Sequence, residues 1–137
     1  MPLDLNSNVK WSPSIYPTNS AEATIDTAAT VIDTKGYHSA MAIVAVGAAE
    51  GTPDVQSVIF TIQEDTTSAF TSPTTVSTFT AITADNGSAQ AHITGLGTAR
   101  ERYLRIKAVV DFTNGSTPKQ EVMGGILLSD PDAAPVS

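Results

Sequence analysis

Hydrophobic and polar residues alternate along most of the chain with a period of two, the pattern of β-strands whose two faces meet different surroundings. The stretch RYLRIKAVVDF shows it most clearly. One face of this predicted strand would carry Leu104, Ile106, Ala108, Val110 and Phe112. The other would carry Tyr103, Arg105, Lys107 and Asp111. The stretch VIFTIQE repeats the pattern with Val58, Phe60 and Ile62 on one face.

Further strands are predicted at TFTAIT, QAHITGL and EVMGGILLS, and no segment keeps a helical period for three turns. The stretch from Ala40 to Val46 is apolar at every position, which indicates a strand buried on both sides or covered by another subunit. Seven to eight strands separated by turns predict an all-β fold, a small β-sandwich or jelly-roll-like domain.

Turn residues separate these strands. Asp85-Asn86-Gly87 and Asn114-Gly115 supply residue types that accept positive φ. The connection around Asn114-Gly115 is longer than two residues, so we expect a looped hairpin there. The Ser/Thr/Pro-rich segment 66–80 is predicted to be an exposed loop.

The first 22 residues lack a sustained period, and Pro13 and Pro17 exclude a helix. We expect an extended N-terminal arm at 1–22, a β-sandwich domain at 23–129 and a short Pro-rich C-terminal tail at 130–137. The arm would lie over its own domain or over a neighbouring molecule, with Trp11 as an apolar anchor.

Composition narrows the classes of partner. The 137 residues predict one domain, and the formal charge of −7 disfavours binding to nucleic acid. The N-terminus lacks the pattern of a secretory signal, and the longest apolar run, Ala40 to Ala49, is too short to span a membrane. The charged fraction is only 15%, which favours a folded domain that covers part of its surface with a partner.

No pattern of catalytic or metal-binding residues is evident. Cysteine is absent, and the two histidines, His38 and His92, fall in different predicted strands without a carboxylate at a metal-like spacing. The acidic pairs Glu64-Asp65 and Asp130/Asp132 each offer too few oxygen ligands for calcium. We therefore expect no enzyme activity, no cofactor and no metal site.

Four of the seven Lys and Arg residues lie within eight positions, at Arg100, Arg102, Arg105 and Lys107. Strand alternation predicts that Arg105 and Lys107 project together with Tyr103. Two interpretations remain open. One is a solvated outer sheet face, and the other is a docking patch of Tyr103, Arg105 and Lys107 for an acidic protein surface.

Short motifs from residue 31 to residue 136 carry a family resemblance. The stretch IDTKGYHSAMAIVAVGA is followed by VQSVIFTIQED, then by Arg102-Tyr103-Leu104-Arg105 and by SDPDAAPV. This order resembles small proteins encoded beside the major capsid gene of tailed bacteriophages, which share a D-T-x-G-Y/F turn, an acidic pair, an R-Y-V-R strand and an A-P-V tail. The first 22 residues match none of these motifs.

The resemblance implies a capsid decoration (cement) protein, a structural virion component on the outer capsid surface that is assembled in the host cytoplasm. It implies the major capsid protein as partner, with bridging of neighbouring capsid subunits, and a homo-oligomer, favouring a trimer. We expect contacts through the arm residues Trp11, Ile15 and Tyr16 and through Tyr103, Arg105 and Lys107.

The turn of Asp33, Gly36 and Tyr37 is interpreted as a fold signature, with Gly36 supplying backbone freedom and Asp33 capping the turn. Competing functions are another virion component, such as a vertex spike, connector or tail protein, and a ligand- or glycan-binding β-sandwich. Only eight aromatic residues are present, which disfavours glycan stacking.

Overall fold

Nine β-strands and one helical turn make up most of residues 5–132, the part of the chain that the computed structural model describes. Of Leu5 and Asn6 only the backbone is described. The elements are α1 (Leu5–Asn8), β1 (Val9–Ser20), β2 (Ala23–Ile25), β3 (Ile32–Asp33), β4 (Tyr37–Glu50), β5 (Val55–Asp65), β6 (Thr74–Thr78), β7 (Ser88–Ile93), β8 (Tyr103–Thr113) and β9 (Lys119–Pro131).

Two antiparallel sheets pack face to face. Sheet A has the strand order β1-β9-β4-β7, and sheet B has the order β2-β8-β5-β6, with β3 also paired to β8. If β2 and β3 are counted as one interrupted strand, this is the strand order of an eight-stranded jelly roll. The all-β sandwich predicted from the alternation is confirmed.

The core lies between the inner faces of the two sheets. Every second residue of β8 is buried, from Leu104 through Phe112, and Val58, Phe60 and Ile62 of β5 are buried beside them. Sheet A contributes the inner residues Ala42, Val44, Val122, Ile126 and Leu128. The predicted inward faces of both strands are therefore confirmed, because each sheet buries one face against the other.

The N-terminal segment is a strand of sheet A. Residues 9–20 form β1, which pairs antiparallel with β9 from Val9 opposite Ser129 to Ser20 opposite Gln120. Of the two placements expected for the arm, the structure shows the intramolecular one. Two register shifts interrupt the pairing, between Pro13 and Ile15 and between Ile15 and Thr18. Each proline removes a backbone donor, which an edge strand tolerates.

The first register shift turns Ser14 into the sandwich. Its Oγ accepts a hydrogen bond of 2.9 Å from the Ile106 N–H of β8 and donates one of 2.8 Å to the Thr30 carbonyl. On this side of β8, β2 ends at Ile25 opposite Ala108 and β3 begins at Ile32 opposite Leu104, so neither strand pairs with Ile106. Ser14 fills this gap and joins the two sheets.

The segment 66–80 differs from the predicted exposed loop in two respects. Residues Thr74–Thr78 form β6, and Phe70 is buried within the β5–β6 loop, residues 66–73. Asp65 holds this loop by accepting hydrogen bonds from the N–H groups of Thr67 (3.1 Å) and Ser72 (2.8 Å). These bonds lower the pKa of Asp65. The strand predicted at TFTAIT is replaced by β6 and a single bridge between Ile82 and Val58.

At the C-terminus, β9 continues through Asp130 and Pro131, so the start of the predicted tail is paired with β4. The rest of that tail, residues 133–137, lies outside the described residues. The connection from β8 to β9 is a loop, as predicted, with positive φ at Asn114 and Gly115.

Candidate functional site

The outer face of sheet A is largely apolar. Register and alternation place one set of apolar residues on it, hereafter the apolar face: Val9, Trp11, Pro13, Met41, Ile43, Ala45, Met123 and Leu127. All are partly or fully exposed. The face extends from Ser39 and Ser129 at one end to Gly47 and Glu121 at the other. Between these residues, no Asp, Glu, Lys or Arg in the described part of sheet A occupies an outward position.

Strand β4 explains why the stretch 40–46 is apolar at every position. Its inward residues Ala40, Ala42, Val44 and Val46 are buried in the core, whereas Met41, Ile43 and Ala45 are only half-buried on the apolar face. We expected this stretch either to be buried on both sides or to be covered by another subunit. Burial on both sides within one chain is not observed. Contiguous exposed apolar surface of this kind marks interaction sites. The apolar stretch 40–46 was the signal for this face in the sequence. Nothing in the sequence showed that Met123 and Leu127 of the neighbouring strand β9 belong to the same face.

Two consecutive glycines of β9 allow other side chains to pack closely against both faces of the strand. Gly124 points inward, where a Cβ would lie 3.2 Å from Ile106 Cδ1 and 3.3 Å from Val44 Cγ1. Gly125 points outward, and the indole of Trp11 occupies the space that a Cβ there would need. The ring therefore lies across β9 beside Ile43, while 42% of Trp11 stays exposed.

Two shallow depressions lie on the apolar face. One, of about 180 Å³, is lined by Pro17, Ala45, Gly47 and Met123 among others. The second, of about 400 Å³, lies at the opposite end between Val9, Met41, His92 and Leu127. Both are mainly apolar, so they suit aliphatic or aromatic side chains of a protein partner better than a charged ligand.

The three contact residues predicted in the N-terminal segment have different positions. Trp11 and Tyr16 are exposed, Tyr16 by 59%. The prediction for Ile15 is wrong: this side chain is only 3% exposed and belongs to the core. The reason is the register shift after Pro13, which directs both Ser14 and Ile15 inward and which residue alternation could not reveal.

The predicted basic docking patch is not formed as expected, because Arg105 is buried. Its Nε donates a 2.9 Å hydrogen bond to Gln63 Oε1, and its guanidinium lies 4.4 Å from the ring centroid of Phe70. The β5–β6 loop thus covers the middle of the patch. Tyr103 and Lys107 remain half-exposed on either side of Arg105. Sequence alternation correctly placed these three residues on one face but did not show the loop above it.

The other two arginines of the cluster are paired within the chain. Arg100 lies 3.6 Å from Glu64, and Arg102 makes two 2.8 Å hydrogen bonds to Asp33 while stacking on Tyr103. The bond from Arg102 lowers the pKa of Asp33 to about 2. These carboxylates offset much of the cationic charge that a docking patch for an acidic surface would need.

The turn before β4 has the geometry of a capped turn. Asp33 Oδ1 accepts a 3.0 Å hydrogen bond from the Lys35 N–H, and Gly36 has a φ of 89°. A side chain at position 36 would be strained by this φ. Tyr37, the next residue, packs against the core. Asp33 therefore both caps the turn and binds Arg102.

A second polar contact joins the start of β4 to the residue that follows β9. His38 Nε2 lies 2.5 Å from Asp132 Oδ1, and the Asp132 N–H donates to the Gly36 carbonyl at 2.7 Å. The hydrogen bond with Asp132 raises the pKa of His38 above 6.5, and the charge of Asp130 adds to the effect. Both side chains are exposed, so this contact ties down the end of β9 at the protein surface.

Within residues 5–132, no cluster of three or more His, Cys, Asp or Glu side chains has a geometry that could hold a metal ion. In the same residues, no helix has the length and hydrophobicity needed to cross a membrane. Comparisons of the chain with models of protein families, with curated proteins and with solved structures find no match.

Proposed function

We propose that this protein is a structural virion component that decorates the outer surface of a tailed-phage capsid and stabilises it by bridging major capsid protein subunits. The observation that carries the proposal is the apolar face: an uncharged sheet surface with an exposed Trp11 on a chain of net charge −7. The resemblance of the Asp33–Tyr37 turn and the following strands to capsid-associated proteins supports the same role.

The apolar face has the properties of a protein-docking surface. Interface centres are depleted in charged residues and enriched in aromatic residues and Met, and the face carries Trp11, Met41 and Met123. Trp and Tyr are also the residues that most often dominate binding energy. Tyr16 lies on the same strand as Trp11, at the rim of sheet A. We propose that Trp11 and Tyr16 anchor the protein on the shell.

A shell-stabilising role requires no catalytic group, cofactor or metal, and we propose that the protein is not an enzyme. The homotrimer that the resemblance implies belongs to the proposal, as do the virion location and assembly in the host cytoplasm. Jelly rolls also occur in lectins, and a fold does not define a function. A vertex spike, connector or tail component is the alternative, and the number of copies per particle separates it from a shell decoration.

The first test is co-sedimentation of the purified protein with heads assembled from the capsid protein encoded beside it. Saturation near one copy per capsid subunit is the expected result. Saturation at a number that matches the vertices or a single portal would replace decoration by a spike or connector role. Absence of binding would overturn the capsid assignment.

A matched pair of variants tests the apolar face itself. Ile43→Lys places a charge at the centre of the face, and Ile59→Lys makes the same change on the outer face of sheet B. Both side chains point away from the core, so both variants should fold, as checked by thermal unfolding. We expect Ile43→Lys to weaken head binding by at least about tenfold, because an unpaired charge would be buried at the contact. Ile59→Lys should bind as the wild type; equal effects of the two variants would contradict the assignment.

A further inference from the structure

Strand β7 forms an edge of sheet A that lacks the usual protection against pairing with another chain. Exposed edges normally carry charges, prolines, bulges or very short strands. The opposite edge, β1, has Pro13, Pro17 and two register shifts. In sheet B, β2 and β3 are three and two residues long, and β6 has a register shift. In contrast, β7 pairs with β4 over six residues without a shift, and residues 87–97 include no Pro, Asp, Glu, Lys or Arg.

The hydrogen-bond phase of β7 defines which backbone groups face outward. The Val46 N–H donates to the Gly87 carbonyl at 2.9 Å, which makes this a hydrogen-bonded pair. Because such pairs alternate along an antiparallel ladder, Ala89, Ala91 and Ile93 bond to β4 in the same way. The N–H and C=O groups of Ser88, Gln90 and His92 therefore point away from β4. In the described part of the chain, none of these three residues has a hydrogen bond on that side.

We propose that β7 pairs antiparallel with β7 of a second copy of this chain, about a twofold axis beside Gln90. In this register Gln90 lies opposite Gln90 of the other copy, and Ser88 lies opposite His92. Each of these pairs is a hydrogen-bonded pair, so every outward N–H and C=O of the three residues gains a partner. The two copies of sheet A become one continuous eight-stranded sheet.

Self-pairing of this segment also brings no like charges together. Two chains of net charge −7 repel each other over most surfaces, but residues 87–97 bring no Asp or Glu to the contact. Strand β7 is thus a place where two such acidic chains can approach without opposing carboxylates on the paired strands. The outward side chains of Ser88, Gln90 and His92 lie in register with Ala45, Ile43 and Met41. Pairing therefore places the apolar faces of the two copies on the same side of the joined sheet.

This inference does not depend on the proposed capsid role, because it concerns the purified chain alone. It is also distinct from the threefold arrangement that the resemblance implies, since self-pairing of one strand requires a twofold axis. Sedimentation velocity over a range of concentrations measures it directly. We expect the wild type to associate in pairs through β7 as the concentration rises.

Two kinds of substitution at Gln90 test the register. Gln90→Pro removes an N–H that points away from β4, so the β4–β7 ladder is retained while two bonds of the dimer are lost; we expect dimerisation to weaken by about tenfold or more. Gln90→Thr retains the N–H and serves as the control. Gln90→Lys and Gln90→Glu each place like charges opposite one another, which should weaken dimerisation several-fold.

An equimolar mixture of the Lys and Glu variants provides the decisive observation, because it alone pairs opposite charges at the axis. We expect the mixture to form heterodimers more tightly than either variant forms homodimers. A wild type that stays monomeric at all concentrations would overturn the proposal. An oligomer, dimer or trimer, that is unaffected by Gln90→Pro and by the charged variants would overturn it as well. Unchanged thermal unfolding of each variant checks that the fold is retained.

Discussion

Replacing Ser14 by alanine is expected to destabilise the protein much more than the same substitution at an edge-strand serine normally does. The Ser14 side chain is 1% exposed, and its Oγ is the only described acceptor for the Ile106 N–H, at 2.9 Å. Ile106 is fully buried in the middle of β8. Alanine would leave that N–H without a partner in the space between β2 and β3, where no strand is present to replace the hydroxyl.

The magnitude follows from the burial of this donor. A buried polar group that loses its partner costs about 1–3 kcal/mol, and we count only the Ile106 N–H because Thr30, whose carbonyl also loses a bond, is an exposed residue. We therefore expect a loss of about 2 kcal/mol in the free energy of unfolding. For 137 residues the entropy of unfolding is roughly 0.3 kcal/mol/K near 60 °C, so the melting temperature should fall by roughly 7 °C.

Thermal and urea unfolding, followed by circular dichroism, measure this difference. Ser12→Ala is the matched control: it is the same substitution two positions away on β1, at a half-buried residue with no side-chain hydrogen bond in the described chain. We expect it to change stability by less than about 0.5 kcal/mol. Equal stability of the two variants would refute the inference that Ser14 joins the sheets. Deletion of the N-terminal segment would remove all of β1 together with this contact, so point variants are the appropriate probes of binding.

Two further predictions concern the surface contacts. The folded pKa of His38 is raised by Asp132, so the stabilisation from this pair is complete below pH 6.5 and is lost as pH rises through the raised pKa. The melting temperatures of wild type and His38→Asn should therefore converge as pH rises, and parallel pH profiles would contradict this. Phe70→Ala should uncover Arg105 and speed limited proteolysis of the β5–β6 loop, whereas Ser68→Ala, on an exposed residue of that loop, should leave cleavage unchanged; equal cleavage rates would refute the covering role.

Much of the fold could be predicted from local pattern. The alternation in β5 and β8 identified the inward residues, because a strand in a two-layer sandwich buries every second side chain. The residue types at Asn114-Gly115 identified the loop between β8 and β9, since few residues accept positive φ without strain. The continuous apolar stretch in β4 corresponds to a half-buried apolar outer face rather than to burial on both sides within the chain, and alternation within one strand could not supply the neighbouring residues of β9.

The candidate site depended on contacts between residues far apart in the chain. Whether residues 9–20 extend over a neighbour or pair with β9 is decided by a partner strand about a hundred residues away, and the direction of Ile15 by a bulge within that pairing. Arg105 was correctly assigned to the outer side of β8, yet it is buried because the β5–β6 loop folds back and sets Phe70 over it. The unprotected edge at β7 likewise exists only because of the order in which the strands join the sheet. Period and turn chemistry are local properties that the sequence determines directly; which strands become neighbours, and therefore which faces and edges stay exposed, is decided only when the two sheets pack.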